Sequence, residues 1–371
     1  MNCNKLKIFI FISNLDSGGA QRTTLNLANS WSRLGHEVHL TVGTKSANLP
    51  TINYKLEKNV KVSFFNKKRT LQCLFGLYKV VKNKFYDIVF SPSPEASTVL
   101  YFAAKLARYK GKIILRESNF RSYSPKKNNI RLLFTKHAYR NCSNVVSLSF
   151  GVKKDLIDRF NISANKIKVI HNPIDVKKIS SEMIKKGDIC EHYPKIKKMF
   201  KIIAVGRLVN QKGFDILIRA FNKIKDFNMF ITIIGEGSEK ANLRNQIYKY
   251  NLEKNIKMVG FLPNPYATMH SSDLFILPSR WEGFGHVIVE AFVCKLPVLA
   301  FDCKSGPSEI IKNFHNGILC KPEDHNNLAD NMKLLAKNKK LRDQISKNGA
   351  NSLCNFDNKL IAEKYIKLFH N

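Results

Sequence analysis

Two glutamates, Glu282 and Glu290, stand eight positions apart in the run Leu277-Pro278-Ser279-Arg280-Trp281-Glu282-Gly283-Phe284-Gly285-His286-Val287-Ile288-Val289-Glu290-Ala291. If the interval is largely helical it spans about 12 Å, at about 1.5 Å per residue. That is too far for two carboxylates sharing one proton, and it suits separate acceptors at opposite ends of one extended, hydroxyl-bearing ligand. Glu290 lies among Val287, Ile288, Val289, Ala291 and Phe292. An idle carboxylate is costly to bury there, so a ligand hydroxyl is a better partner than none; a solvated helix position is the alternative.

A second group of charges is Arg207 and Lys212 in Val205-Gly206-Arg207-Leu208-Val209-Asn210-Gln211-Lys212-Gly213. Two cations five residues apart, between a strand and a helix, can clamp a diphosphate. A solvated basic loop is the bland reading, but open α/β sheets bind their ligands at strand ends. Asn14-Leu15-Asp16-Ser17-Gly18-Gly19-Ala20 is a turn of the same kind, where Gly18 and Gly19 let backbone N–H groups approach an anion. It is not a G-x-G-x-x-G fingerprint, and taken alone it is equally a tight turn. The turn Asp302-Cys303-Lys304-Ser305-Gly306-Pro307-Ser308-Glu309-Ile310-Ile311 puts Gly and Pro at an expected helix start, where the dipole favours an anion.

These turns need strands to end on. Short β-branched and aromatic runs at 8–13, 37–42, 87–91, 112–116 and 144–148 alternate with amphipathic stretches such as 22–34 and 71–84, which predicts a parallel α/β sheet. A second series at 201–205, 229–234, 256–259, 274–277 and 297–300, with helical segments near 213–226 and 238–251, predicts another. The boundaries read as an N-terminal domain over 1–175, a Lys-rich linker over 176–199, a second domain over 200–354 and a final helical segment over 355–371.

Two domains agree with 371 residues and 44% apolar content, because single cores stop growing near 250 to 300 residues. Sixty-two Lys and Arg against 28 Asp and Glu give a formal charge of +34, which implies a polyanionic surface, lipid or substrate nearby. The excess leans to the first half, with 30 basic and 9 acidic side chains in 1–175 against 32 and 19 in 176–371. Eight cysteines without Cys-x-x-Cys spacing fit a reducing cytoplasm. The apolar run from Ile8 to Ile12 reads as a buried strand rather than a leader. No stretch approaches the ~18 apolar residues of a spanning helix, so membrane contact is expected to be peripheral.

Taken together, Ser17-Gly18-Gly19, His171-Asn172-Pro173-Ile174-Asp175, Gly206-Arg207 with Lys212-Gly213, Ile234-Gly235-Glu236-Gly237, Val259-Gly260-Phe261 and Glu282 with seven residues to Glu290 resemble the family 4 glycosyltransferases. The Ser-Gly-Pro-Ser-Glu-Ile-Ile turn resembles bacterial members that build lipid-linked oligosaccharides or surface polysaccharides. The resemblance implies a GT-B fold: two Rossmann-like β/α/β domains facing across a cleft, acceptor side first and donor side second, with the final helix packing back on the first domain. It implies retaining transfer of a hexose or N-acetylhexosamine from a UDP-sugar to a glycan or polyprenyl-diphosphate-linked acceptor. By the same resemblance Arg207 and Lys212 would neutralise the diphosphate and Glu290 would hold the ribose. Glu282 with Gly283, Phe284 and Gly285 would contact the sugar, Gly206, Gly235 and Phe261 would join the donor pocket, and Gly18 and Gly19 would face the diphosphate.

No Asp-x-Asp occurs, and the resemblance implies that no metal or other cofactor is required. Where many relatives carry a histidine after the fourth strand, this chain reads Leu115-Arg116-Glu117-Ser118-Asn119; Arg116, Glu117 or Asn119 is expected to line the acceptor side, or else to be structural. Seven basic residues from Lys61 to Lys84, mixed with aromatics, suit an anionic membrane surface, as does the basic stretch 121–131. The expected location is the cytoplasm, peripheral on the inner face of the plasma membrane. Alternative readings are a nucleotide-sugar epimerase of the same fold, a non-catalytic partner, and a nucleic-acid-binding protein. The last rests on charge alone, with no zinc spacing or RNA-recognition signature, so nucleic acid is not an expected partner.

Overall fold

The structure, a computed structural model, describes residues 5–15, 19–45, 56–120, 130–184 and 199–371. The chain divides into two compact units, Met1–Pro173 with Asp357–Asn371, and Ile174–Phe356. The first contains β1 (Lys7–Ile12), α1 (Gly19–Arg33), β2 (Glu37–Thr44), β3 (Val60–Lys67), α2 (Leu74–Asn83), β4 (Ile88–Ser91), α3 (Pro94–Leu106), β5 (Lys112–Glu117), α4 (Ile130–Asn141), β6 (Asn144–Ser147), α5 (Phe150–Phe160) and β7 (Ile167–Val169). The second contains α6 (Val176–Met183), β8 (Phe200–Val205), α7 (Phe214–Asn222), β9 (Met229–Ile234), α8 (Lys240–Lys249), β10 (Ile256–Gly260), α9 (Tyr266–His270), β11 (Leu274–Leu277), α10 (His286–Val293), β12 (Val298–Phe301), α11 (Pro307–Ile310), β13 (Ile318–Cys320), α12 (His325–Lys337) and α13 (Lys339–Asn351). The last helix, α14 (Asn358–His370), belongs to the first unit. The segment 176–199, expected as a linker, opens with α6, which counts with the second unit.

The first unit is a seven-stranded sheet of order β3-β2-β1-β4-β5-β6-β7, parallel at every junction. Side chains alternate across a strand, so β1 sends Phe9 and Phe11 to a core under α2 to α5 and Ile8, Ile10 and Ile12 to one under α1 and α14. Both faces are covered, which is why β1 and β4 read as continuous apolar runs. Asp357 caps α14 by accepting from the Lys359 and Leu360 amides. The helix then seats Tyr365 and Phe369 edge-on against Trp31 at centroid distances of 5.6 and 5.2 Å, with Phe90 a further neighbour at 5.5 Å. Trp31 is wholly buried, and its indole N–H donates to the Ala362 carbonyl.

The second unit is a six-stranded sheet of order β10-β9-β8-β11-β12-β13, also parallel throughout. One face buries Ile202, Ile231, Ile233 and Ile276 under α7, α8 and α12. In both sheets the first strand has its successors on one side and later strands on the other. The carboxyl ends of β1 and β4, and of β8 and β11, therefore flank the points where strand order reverses, the places at which open α/β sheets leave a crevice. Among the described residues no helix is long and apolar enough to cross a membrane.

Trp31 ties α1 to α14 by packing and one hydrogen bond, so Trp31→Ala is expected to cost about 3 to 5 kcal/mol. A fall in the denaturant midpoint measures it; a change under about 1 kcal/mol would mean that α14 is held by other contacts.

Candidate functional site

The loops after β8 and β11 leave adjacent parallel strands, and the chain interlocks them. The Arg280 amide donates to the Gln211 carbonyl at 2.8 Å, and the Gln211 side-chain amide donates to the Trp281 carbonyl at 2.9 Å. Gly213 opens α7 at φ 63°, and a Cβ there would stand 2.0 Å from the Pro278 carbonyl oxygen. Only glycine permits both the left-handed turn and that approach. The consequence is that Lys212, one residue earlier, reaches the β11 loop.

There Lys212 Nζ donates to Glu282 Oε1 at 2.5 Å, and Ser279 Oγ donates to the same oxygen at 2.7 Å. The pair is nearly enclosed, with side-chain exposures of 13% and 8%. A buried carboxylate needs a cation and hydrogen bonds to offset its desolvation, and these two donors supply both. The stem of Lys212 runs beside Gly206, whose missing side chain leaves the groove open. Arg207, the next residue, is exposed.

Arg280 does different work. Its guanidinium forms a two-point contact with Asp215 at 2.8 and 2.7 Å, donates to the Asn210 carbonyl at 2.8 Å and reaches Glu323 at 3.0 Å. Burial alone would raise the Asp215 carboxyl, but the hydrogen bonds and charge of Arg280, with the charge of Arg219, lower it below its usual range. The hydrogen bonds that Arg280 donates to Asp215 in turn raise its own pKa. This charge is spent on fastening the β8 loop and α7 to the β11 loop.

Glu290 sits on α10 and is 2% exposed. The helix begins only at His286, after Gly285 in the left-handed region, so the interval between the glutamates is turn for its first half and helix for its second, not largely helical. Tyr266 on α9 donates its phenol to Glu290 Oε1 at 3.1 Å, and His286 Nε2 stands 3.7 Å from the same oxygen. The turn after β12 packs beneath the glycines, with Ser305 donating to the Gly283 carbonyl at 3.4 Å. Its helix α11 is four residues long, too short to present the anion site expected from its Gly-Pro start.

The structure thus brings together Gly206, Arg207, Lys212, Glu282 and Gly283 in one loop pair, with Glu290 on the helix that follows. Gly235 follows β9, the strand beside β8, and its amide donates to the Gly260 carbonyl at 2.8 Å. Phe261 is exposed one strand further along, after β10. Phe284 is a correction: its ring is 3% exposed and packs edge-on against Phe356 at 5.7 Å, so the side chain anchors the Gly283–Gly285 turn and leaves only its backbone for a ligand. Gly18 lies outside the described residues, as do 121–129 of the basic stretch; Gly19 is the first residue of α1.

Arg116 and Glu117 are corrections too. Both are fully buried and cannot line an open surface. Arg116 donates from Nη2 to Asn172, lies near enough to Tyr365 of α14 for mutual electrostatic influence, and is lowered by burial. Glu117 accepts from the Tyr139 hydroxyl at 3.2 Å and from the Asn119 amide at 2.9 Å. The alternation of β5 sends one to each face of the sheet: Glu117 is taken up by Tyr139 of α4, whereas Nε and Nη1 of Arg116 are buried with no hydrogen-bond partner among the described residues. Asn119 alone of the three is exposed. Among the described residues no group of three or more His, Cys, Asp or Glu is placed to hold a metal ion.

Sequence reasoning missed Ser279 and Tyr266 as partners of the two glutamates. Ser279, three residues before Glu282, could have been found in the loop; Tyr266, 24 residues before Glu290, carries no local signal.

Residues 17–178 match the family described as Glycosyltransferase Family 4, and residues 187–352 that described as Glycosyl transferases group 1. The chain is 29% identical over 97% of its length, and 98% of the relative's, to the N-acetylgalactosamine-N,N'-diacetylbacillosaminyl-diphospho-undecaprenol 4-alpha-N-acetylgalactosaminyltransferase of Campylobacter jejuni. It is 27% identical to the UDP-Gal:alpha-D-GlcNAc-diphosphoundecaprenol alpha-1,3-galactosyltransferase of Escherichia coli over 77% of this chain and 76% of that one. The fold is also that of Anabaena Alr3699/HepE, solved in complex with UDP-glucose, with a TM-score of 0.83, 21% identity and coverage of 98% and 99% of the two chains.

Removing one member of a buried ion pair strands the other, whereas removing both charges does not. Lys212→Ala is expected to lose about 3 kcal/mol of unfolding free energy, most of it regained in the double variant with Glu282→Gln. Denaturant titration of the four proteins in the cycle measures the coupling; strictly additive losses would show that the pair is not energetically linked.

Proposed function

Taking as premise that this chain belongs to the family 4 glycosyltransferases, we propose that it moves a sugar from a UDP-sugar to a lipid-linked glycan, with the donor held by the second unit. The observation that carries the reading is the cluster of Lys212, Glu282 and Ser279 beside exposed Arg207, at the carboxyl ends of the two strands flanking the reversal of strand order. A crevice with cations on one loop and a carboxylate on the next matches a ligand with a dianionic diphosphate joined to a polyhydroxylated ring.

In this reading Arg207 and Lys212 neutralise the diphosphate through charge-assisted hydrogen bonds, beside Gly206 and Gly235, whose backbones pack closely against each other at the strand ends. Glu282 and the backbone from Gly283 to Gly285 receive the sugar, Glu290 accepts from the ribose hydroxyls, and Phe261 edges the pocket. Lys212 is already paired with Glu282, so the incoming phosphate shares a cation whose position is fixed beforehand. Preorganised charge of this kind stabilises a leaving group without reorganisation, and we propose that it stands in for a metal ion. Retention follows if the acceptor oxygen attacks the anomeric carbon on the face the diphosphate leaves. The bond to the phosphate oxygen then breaks and that oxygen takes the hydroxyl proton, while the enzyme supplies position rather than a nucleophile.

The acceptor proposed is a polyprenyl-diphosphate-linked glycan of surface polysaccharide, lipopolysaccharide or glycoprotein-glycan synthesis. It is supported by the activities of the Campylobacter and Escherichia relatives and by the surface of the first unit. From 58 to 86 the sequence has no acidic residue. The 3-10 turn Thr70–Cys73 and α2 bury Cys73, Leu77 and Val81 on one stripe, and they expose Leu71, at 69%, and Phe75, at 74%, on the other. Apolar tips fringed by Lys67, Lys68, Arg69, Lys79 and Lys82 suit a peripheral docking face for acidic phospholipid at the cytoplasmic surface.

Thermal unfolding with a panel of UDP- and GDP-sugars, without added metal and then with EDTA, tests the donor reading. One UDP-sugar is expected to raise Tm in both conditions, a ligand at a hundredfold its Kd adding about 2.7 kcal/mol, with the shift sharply reduced in Arg207→Ala. No shift with any donor, or one abolished by EDTA, overturns it. For the surface, co-sedimentation with vesicles of phosphatidylglycerol and phosphatidylcholine is expected to retain the wild type and to fall several-fold in the Leu71→Ser/Phe75→Ser double variant and at 1 M salt, where the Debye length is about 3 Å. Equal retention on pure phosphatidylcholine would remove the electrostatic part of the argument.

A further inference from the structure

Glu290 is enclosed on a helix whose other inward positions are apolar: Ile288, Val289, Ala291 and Phe292 are each under 2% exposed. The side chain of a glutamate has three rotatable bonds, and apolar neighbours cannot fix the plane of its carboxylate; polar groups can, among them His286 one turn earlier on the same helix and Tyr266 from α9. Tyr266 is brought there by a chain of contacts that starts in α6. The Glu182 carbonyl accepts from the Asn264 side-chain amide at 3.0 Å, and Asn264 Oδ1 accepts from the Tyr266 amide at 3.1 Å, fixing the start of α9. At the far end of α10 the Cys294 thiol donates to the Tyr266 carbonyl at 3.8 Å, and the His270 ring meets the Cys294 carbonyl at 3.2 Å. Tyr266 is itself 7% exposed. Its hydroxyl donates to Glu290 Oε1, with His286 on the same oxygen.

We propose that Tyr266 is a positioning residue for nucleotide recognition: its phenol occupies one oxygen of Glu290 and fixes the carboxylate plane in which ribose hydroxyls are accepted. The inference rests on the ribose reading of Glu290. A phenol is suited to this because it donates without carrying a charge, so Glu290 keeps its full negative charge for the ligand. The same device recurs at the other glutamate, where the Ser279 hydroxyl donates to Glu282 Oε1. Each carboxylate of the pair thus has one oxygen that accepts from a neutral hydroxyl: at Glu282 from within its own loop, where Lys212 shares the oxygen, and at Glu290 across 24 residues of sequence, where His286 stands near it.

The test compares two ligands on each protein by titration calorimetry: UDP, and 2′,3′-dideoxyuridine diphosphate, which lacks both hydroxyls. Tyr266→Phe keeps the ring and removes only the donor. It is expected to weaken UDP about fivefold, the effect of one net hydrogen bond, to leave the dideoxy ligand unchanged, and to raise KM for the donor while kcat stays as in wild type. Equal weakening of both ligands shows a purely structural residue, and no weakening shows no role; either overturns the proposal. Glu290→Gln is run beside it. If Glu290→Gln weakens UDP and the dideoxy ligand equally, the ribose reading falls and the inference with it. If it weakens UDP selectively and Tyr266→Phe does not, the positioning inference alone falls. Should the wild type take GDP, the same pair is made with guanine. Because each Kd is read on folded protein, with thermal unfolding as the control, partial loss of stability cannot imitate a ligand-dependent change.

Discussion

The second unit's candidate site depends on one close backbone approach. Gly213 brings the start of α7 against the Pro278 carbonyl, and every polar contact between the β8 and β11 loops follows from the distance this sets. Lys212 reaches Glu282 because the loops touch, and Arg280 reaches Asp215 and the Asn210 carbonyl for the same reason. A side chain at 213 would push the loops apart and leave a buried carboxylate without its cation. The glycine is therefore a condition for the electrostatics, and the two parallel strands behind it are the condition for the glycine.

The charges divide into two kinds. Arg280, Asp215 and Glu323 form a network that fixes backbone, and little of it is left over for a ligand. Lys212 and Glu282 are held as a pair from opposite loops, with Arg207 exposed beside them. A carboxylate in this setting cannot be idle: enclosure penalises it, and among the described residues the lysine and a serine hydroxyl offset that penalty. The first unit shows the contrasting outcome. Its charged residues at the end of β5 are turned inward, Arg116 to Asn172 and Glu117 to Tyr139 and the Asn119 amide.

Much of this was legible in sequence wherever the physics is local. Strands buried on both faces, such as β1 and β9, announce themselves as apolar runs, and the glycine-bearing loops after β8 and β11 stand out because glycine and charge rarely coincide by default at strand ends. β10 apart, the edge strands do not announce themselves. β3 is an edge strand studded with lysine, and its residues read as a basic interface before they read as sheet; β7 and β13 are three residues each and carry no period. Spacing alone leaves open whether the Glu282 to Glu290 interval is helical, because it does not show that Gly285 delays the helix to His286. Arg116 and Glu117 looked like site residues because charge at a strand end is a good indicator in general. What the sequence cannot carry is which helix will cover that end, and here α4 and α14 cover it.

Long-range polar partners are the general gap. Ser279 lies three residues from its glutamate and Tyr266 lies 24 away, yet both perform the same physical task of turning a flexible carboxylate into an oriented acceptor. The nearer one could be inferred from loop geometry, because a hydroxyl three positions before a buried acid has few other partners. The farther one exists only after α9 has been fixed through Asn264 to α6 at one end and through Cys294 to α10 at the other. A residue that acts on a site from a separate element has no motif of its own. Its signature is a donor in an apolar setting whose only sufficient acceptor belongs to the site, and that can be seen only when the fold has closed around both.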